Sequence, residues 1–107
     1  LDFGVETIKV SVRLQRNSTG RQIANQLLRS GTSAGANYEE ARGAQSRADF
    51  LHKLHISLKE IRESLYWLKL VYRAKILSSL DLNGLIDEAQ QISNIIAKSI
   101  ITMKEKV

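Results

Sequence analysis

Apolar residues between positions 50 and 72 recur at alternating steps of four and three, and this spacing constrains the fold more than any other feature. The row consists of Phe50, Leu54, Leu58, Ile61, Leu65, Leu68 and Tyr72. Because an α-helix completes a turn in about 3.6 residues, these steps bring the whole row onto one face. No Pro interrupts this stretch or any other in the 107 residues. The spacing therefore predicts a long helix, begun by a Ser46–Asp49 capping box, whose apolar face packs in a helical bundle.

A second apolar group lies nearly opposite this row on the same predicted helix. Its members are Ile56, Tyr66, Trp67 and Leu70. A helix with apolar residues on two faces is usually covered on both, so this group predicts a subunit interface. The alternative is that Tyr66 and Trp67 lie flat on the surface, as single apolar residues often do.

Seven consecutive small residues, Ser30 to Ala36, follow a segment that also has helical spacing. The apolar row around them is Ile23, Leu27, Ala34, Tyr38 and Ala41. It stays in phase across the small run, which favours one continuous helix, begun by a Thr19–Gln22 capping box. The alternative is a loop over residues 30–36 that separates two short helices, because Gly31 and Gly35 weaken a helix. If the helix is continuous, the small run predicts close packing of another backbone.

Two further segments complete the chain. Residues 2–16 alternate like a strand, but Val5, Ile8 and Val12 also fit helical spacing, and an isolated strand would have no partner, so a helix is favoured. The helix that contains Trp67 is expected to end near Leu77, and Ser78 to Leu80 to form a turn. The last helix is predicted to begin at Asp81 as N-cap. Its apolar row is Leu85, Ala89, Ile92, Ile96, Ser99 and Met103.

Four helices joined by short turns predict an all-α fold, an antiparallel up-down-up-down four-helix bundle that occupies residues 1–107 as one domain. The formal charge is +5, which suits a polyanionic partner but is also ordinary for a small domain. The chain contains no Cys, so disulfides and thiolate metal sites are excluded, and a cytoplasmic location is expected. No apolar run is long enough to cross a membrane.

Three stretches together resemble one known family. They are IANQLL, then RSGTSAGANYEEA, then SRADFLHKLHISLKEIRESLYWL. These segments resemble the 23S rRNA-intervening sequence proteins, most specifically over residues 21–68. The positions that match the family pattern are Arg29, Ser30, Ser33, Asn37, Glu40, Asp49 and Phe50. Many members carry Glu-Gly after the Asn, whereas this chain has Glu40-Ala41 with Gly43 slightly later.

The resemblance implies a bacterial four-helix bundle that assembles into a ring, typically a pentamer. Some members are encoded in insertions within large-subunit ribosomal RNA genes, and nucleic-acid binding is suspected for the group. The resemblance supplies no catalytic residues. It leaves two classes of function: a ring that binds RNA or DNA through backbone contacts, or a structural oligomer that scaffolds proteins.

A polar strip on the second helix is the best candidate for chemistry. Arg29, Ser33, Asn37 and Glu40 follow at steps of four, four and three. With no His or Cys beside them, a structural polar network is a better interpretation than a catalytic site. His52 and His55 share a helix with Asp49, but no second such motif completes a metal site. We therefore expect no enzyme activity, metal or cofactor.

Basic residues gather where the turn between helices one and two meets the end of helix three. They are Arg13, Arg16, Arg21, Lys69, Arg73 and Lys75, with Asp81 as the main opposing charge. In an antiparallel bundle these segments lie at the same end. The sequence predicts that this end contacts phosphates. The alternative is that these are solvated cations near helix C-termini, where the helix dipole favours them.

Overall fold

A computed structural model describes residues 2–77 and 82–105, and the part it describes is a bundle of four α-helices. They are α1 (Asp2–Leu14), α2 (Ser18–Arg42), α3 (Arg47–Arg73) and α4 (Leu82–Glu105). This confirms the predicted all-α four-helix fold. Among the described residues, no helix is both long and apolar enough to cross a membrane.

Contacts between neighbouring helices show that they run antiparallel. Thr7 of α1 lies against Gly31, whereas Leu14 lies against Gly20 at the other end of the helix pair. Between α2 and α3, Ser30 meets Ser64 and Glu40 meets Lys53. As residue numbers rise on one helix they fall on its neighbour. The α1–α2 turn and the C-terminus of α3 therefore share one end of the bundle, which we call the basic end.

Helix α1 is about half as long as the others and buries a face that the sequence did not predict. The buried residues are Phe3, Thr7, Val10, Ser11 and Leu14. Thr7 and Ser11 can be buried because each hydroxyl donates to the carbonyl four residues earlier. The row Val5, Ile8 and Val12 instead faces outward, with 44%, 45% and 53% of each residue exposed. The prediction of a helix is confirmed, but the apolar row Val5, Ile8 and Val12 lies on its outward face and not on its buried face.

The start of α2 differs from the predicted Thr19–Gln22 capping box. Asn17 is the N-cap: its backbone is extended, and its side-chain oxygen accepts a hydrogen bond from the Gly20 amide at 2.9 Å. Asn caps helices better than Thr does, so Thr19 falls inside the first turn. A Cβ atom at residue 20 would stand 2.4 Å from the Leu14 carbonyl oxygen. The tight α1–α2 connection therefore requires a glycine there.

The small run Ser30 to Ala36 is helical throughout, so the continuous-helix interpretation was right and the loop alternative was wrong. Its close packing is confirmed at Ser30, Gly31 and Ala34, which are buried. Ser30 Oγ lies 2.8 Å from Ser64 Oγ, and Ser57 Oγ donates to the Ala34 carbonyl oxygen at 2.8 Å. These short side chains let α2 and α3 approach closely while every buried hydroxyl keeps a partner. Gly35 faces open space instead.

Helix α3 carries most of the predicted core row, and Ser46 caps it by accepting from the Asp49 amide at 3.0 Å. The sequence pattern placed Tyr38 and Tyr72 in apolar core rows, but both are exposed. Val71 fills the core in place of Tyr72. The helix ends at Arg73, before the predicted Leu77, because Lys75 adopts a positive φ of 56°. The amides of Lys75 and Ile76 then donate to the carbonyls of Tyr72 and Val71, which forms a Schellman motif.

Helix α4 buries Leu82, Leu85, Ala89, Ser93, Ile96 and Ile100. Ile92, Ser99 and Met103 of the predicted row are half-buried. The predicted Ser78–Leu80 turn and the Asp81 N-cap lie outside the described residues.

Candidate nucleic-acid interface

The structure brings the six predicted basic residues to the same end of the bundle. Arg13 is in the last turn of α1, Arg16 in the connection, and Arg21 in the first turn of α2. Lys69 and Arg73 lie at the C-terminal end of α3, and Lys75 follows it. All six are exposed. Within residues 2–77 and 82–105, none of the six forms an ion pair with a carboxylate.

Four cations elsewhere in the bundle behave differently, because each has a carboxylate partner. Lys9 pairs with Glu6, and Arg42 pairs with Glu39, in both cases within one helix. The other two pairs join α2 to α3: Lys53 with Glu40, and Arg29 with Glu60 and Glu63. Outside the basic end, five other cations of the described residues also form no ion pair with a carboxylate: Arg47, Lys59, Arg62, Lys98 and Lys104. The basic end is therefore distinguished by the concentration of its cations and not by their lack of pairs.

Acidic residues near the basic end are fewer than the basic ones. Asp87 and Glu88 lie in the second turn of α4, close to this end, and they lower its positive charge. The sequence interpretation counted Asp81 alone, which lies outside the described residues. Within the described residues, the six exposed cations outnumber these two carboxylates, so the local charge is positive.

A groove of about 440 Å³ lies between α2 and α3 beside the basic end. It is lined by Gln22, Ile23, Asn25, Gln26 and Trp67. The three amide side chains are exposed, while Ile23 and Trp67 are half-buried and pack against the hydrophobic core. Sequence reasoning missed this groove. The signal was present, since Asn25 and Gln26 follow Gln22 by three and four residues and so share its helix face, but nothing in the sequence paired them with Trp67.

Trp67 is held at the groove by the carboxylate of Glu63. Its indole Nε1–H donates to Glu63 Oε2 at 3.1 Å, and Arg29 Nη2 donates to the same oxygen at 2.5 Å. The hydrogen bond from Trp67, followed by the interactions with Arg29, lowers the pKa of Glu63 below its ordinary value of 4.5. Arg29 also donates to Glu60 at 3.1 Å. The hydrogen bond to Glu63 and the charges of both carboxylates raise the pKa of Arg29.

The predicted polar strip is not one network. Arg29 turns toward Glu60 and Glu63 of α3. Asn37 Nδ2 donates to the Ser33 carbonyl at 2.9 Å and to Ser33 Oγ at 3.2 Å. Glu40 accepts from Lys53 at 3.1 Å. The strip divides because Arg29 and Glu40 bond to side chains of α3, whereas Asn37 and Ser33 bond to each other within α2.

The predicted interface group on α3 is exposed to different degrees. Tyr66 is 58% exposed and Leu70 is 37% exposed, whereas Ile56 and Trp67 are half-buried. Tyr66 and Trp67 contact each other edge to face, with ring centroids 5.0 Å apart and an interplanar angle of 71°. Charged residues, among them Arg62 and Lys69, interrupt this surface.

Two other features were candidates for chemistry, the histidines of α3 and a depression on α3 and α4. His52 and His55 are exposed. Over the ranges that the structure describes, no group of three or more His, Asp or Glu side chains is arranged to hold a metal ion. A shallow depression on α3 and α4 is lined by Phe50, Ile95, Lys98, Ser99, Thr102 and Met103 and contains no carboxylate or imidazole.

Comparison with known proteins agrees with this architecture. A solved structure from Bacteroides thetaiotaomicron VPI-5482, described as a protein of unknown function from the S23 ribosomal protein family, is 36% identical to this chain. The two superpose with a TM-score of 0.85 over 92% of each chain. No curated protein matches the chain. The family model for the 23S rRNA-intervening sequence protein matches residues 1–98, and the chain therefore belongs to this family.

Proposed function

We propose that this protein is a non-catalytic, self-associating helical bundle that binds RNA or DNA through phosphate contacts at its basic end. The observation that carries the proposal is the concentration of six exposed cations there, none of which has a carboxylate partner in the described part of the chain. A free cation can neutralise a phosphate without first breaking an ion pair. The names of the family and of its solved relative, which refer to ribosomal RNA and to a ribosomal protein, are consistent with such a partner.

Self-association is supported by apolar surface that one copy leaves exposed. Val5, Ile8 and Val12 form an outward row on α1, and on α4 Ile95 and Ile101 are 61% and 58% exposed. Contiguous apolar patches often mark contact surfaces, and Val5, Ile8 and Val12 fall on one face of α1. The α1 row is our main candidate for the contact between copies, ahead of Ile56, Tyr66, Trp67 and Leu70. A cyclic ring, such as a pentamer, would repeat the basic end around one rim and strengthen its field.

Nucleic-acid binding is tested by the salt dependence of affinity and by charge reversal. The affinity for labelled RNA or DNA should fall as salt rises, with a log–log slope of about −0.7 to −0.9 per phosphate neutralised. Changing Arg16, Arg21 and Arg73 together to Glu should abolish binding. A matched control reverses Arg62, Lys98 and Lys104, which are exposed cations outside the basic end. This control changes the net charge equally and should retain most of the binding.

The competing function is a structural or protein-scaffolding oligomer with no nucleic-acid role. If the variant with Arg16, Arg21 and Arg73 reversed binds as well as the parent, the basic end is not the site and the scaffold becomes the better interpretation. Self-association is measured separately, by light scattering against the monomer mass of 12.0 kDa. Ile8→Glu should dissociate the assembly if the α1 row is the contact, and Trp67→Glu should do so if the α3 group is. A monomer at micromolar concentration would contradict self-association.

A further inference from the structure

We propose that the groove between α2 and α3 accepts an unpaired base of a single-stranded nucleic acid, stacked on Trp67, while the adjoining phosphates contact the basic end. This inference rests on the proposed nucleic-acid binding and narrows its ligand to single strands. The six exposed cations of the basic end and the groove that Trp67 lines lie at the same end of the bundle.

The lining of the groove suits a nucleobase. A base has two flat apolar faces and an edge that carries both donors and acceptors. The groove supplies the aromatic surface of Trp67 and the aliphatic surface of Ile23. Gln22, Asn25 and Gln26 supply amides, and each amide can donate and accept.

Trp67 is oriented for stacking before any ligand arrives. Glu63 accepts the indole N–H, so the polar edge of the ring is already satisfied and need not be desolvated when a base binds. Arg29 pairs with Glu63 and Glu60, which offsets the negative charge of the carboxylates next to the groove. Tyr66 packs edge to face on Trp67 and is itself exposed, so it offers a second aromatic surface beside the first.

Cations beside the groove can contact the sugar-phosphate backbone of the strand whose base is bound. Arg21 immediately precedes Gln22 on α2, and Lys69 and Arg73 follow Trp67 on α3. Aromatic residues beside a positively charged path are the usual means by which proteins bind single strands without reading sequence. In a duplex the bases are stacked and paired, so none is free to enter a groove formed by side chains. Single strands should therefore bind in preference to duplexes.

The experiment uses the intrinsic fluorescence of Trp67, which is the only tryptophan in the chain. The probes are oligouridine and oligothymidine of about 12 nucleotides, long enough for one binding site, and a DNA duplex of the same length. We expect saturable quenching by the single strands and much weaker quenching by the duplex. The oligouridine and oligothymidine arms distinguish RNA from DNA.

Variants then separate stacking from charge. Trp67→Ala should weaken binding of labelled oligothymidine by about 5- to 150-fold, the range expected for the loss of one stacked base. Tyr38→Ala, which removes an exposed aromatic residue on α2 far from the groove, is the matched control and should have no effect. Circular dichroism checks that Trp67→Ala is folded. Asn25→Ala, at an exposed position, should also weaken binding and tests the groove without altering the core.

The outcomes separate this inference from the proposed function. If single strands bind with steep salt dependence but neither quench Trp67 nor respond to Asn25→Ala, the base site is overturned while phosphate binding at the basic end stands. If no nucleic acid binds, both fail. If the fluorescence of Trp67 changes when the protein alone is diluted across its dissociation range, a second copy covers the groove and the base site is also overturned.

Discussion

Thr7 of α1 packs so closely on Gly31 of α2 that a Cβ atom at residue 31 would stand 2.7 Å from Thr7 Cγ2 and 3.3 Å from Thr7 Cβ. Rotating the threonine does not relieve the contact, because its Cβ is itself close. Thr7 is also fully buried and donates to the Phe3 carbonyl. The short helix α1 is therefore seated on α2 at a position where only glycine fits without displacement.

Gly31→Ala is expected to destabilise the protein, whereas Gly35→Ala should stabilise it. At residue 31 the cost of overpacking, about 1–3 kcal/mol, exceeds the gain in helix propensity of about 1 kcal/mol. At residue 35 the added methyl group meets nothing within 4 Å, so the gain of about 0.5–1 kcal/mol remains. Urea unfolding measures both. In a Thr7→Ala background Gly31→Ala should cost much less, and an undiminished cost would show that the contact with Thr7 is not its cause.

Lys75→Gly should stabilise the end of α3. Lys75 lies in the left-handed region, with φ of 56°, where an L-residue with a side chain is strained. Glycine adopts this conformation without strain, so we expect a gain of about 0.5–1 kcal/mol in the free energy of unfolding. Ala74→Gly is the matched control. Residue 74 has φ of −78°, where glycine brings no relief and only adds flexibility, so that variant should lose stability. Equal effects at residues 74 and 75 would contradict the Schellman assignment.

Arg29→Ala should lower the melting temperature more than Arg42→Ala. Arg29 joins α2 to two carboxylates of α3, one of which, Glu60, has a side chain only 10% exposed. Removing the arginine leaves that carboxylate without its cation. Arg42 pairs with an exposed carboxylate in its own helix, a kind of pair that contributes little. Arg29→Lys should fall between the two, because lysine cannot reach both carboxylates with a planar fork. If Arg29→Ala and Arg42→Ala have the same melting temperature, the ion pairs of Arg29 with α3 do not stabilise the protein.

The sequence predicts the buried face of some helices of this bundle better than that of others. The α3 row and its Ser46 cap were predictable because apolar spacing and capping are local. The outward face of α1 was not, because Val5, Ile8 and Val12 are as regularly spaced as a core row. The residues that α1 actually buries include Thr7 and Ser11, which are accommodated only because each hydroxyl bonds within the helix and Gly31 leaves room. Which residues of α1 are buried depends on the shape of α2, and the local sequence pattern of α1 contains no information about that shape.

The candidate site was predictable in part for the same reason. Clusters of Lys and Arg at helix ends can be placed once the helices are known to be antiparallel, so the gathering of six basic residues at one end was predictable. That these residues bind phosphates stays a prediction. The groove required knowledge of which α2 residues face Trp67, and that depends on the register between α2 and α3. The register is fixed by contacts such as Ser30–Ser64, whose partners are separated by 34 residues in the chain. The partners of the polar strip were not predictable, because Arg29 and Glu40 bond to residues of α3 that lie far away in the chain.

Acid should weaken the contacts that Glu63 makes with Trp67 and Arg29. Because the pKa of Glu63 is lowered below 4.5 in the folded protein, the charged carboxylate contributes stability that is fully present above about pH 4.5 and is lost as the pH falls through the folded-state value. Protonation weakens the hydrogen bonds from Trp67 and Arg29 together. Trp67 fluorescence should therefore change below pH 4.5 before helical circular dichroism is lost.

Glu63→Gln should reduce the stability of the protein at neutral pH and flatten the dependence of its stability on pH in this window. Trp67→Phe removes the largest cause of the lowered pKa, so its loss of stability in acid should begin at a higher pH than in the parent. The stability of the parent and of the Glu63→Gln variant is measured from about pH 3 to about pH 6, a range that includes the ordinary pKa of a glutamate. Parallel profiles would show that Glu63 does not cause the loss of stability in acid.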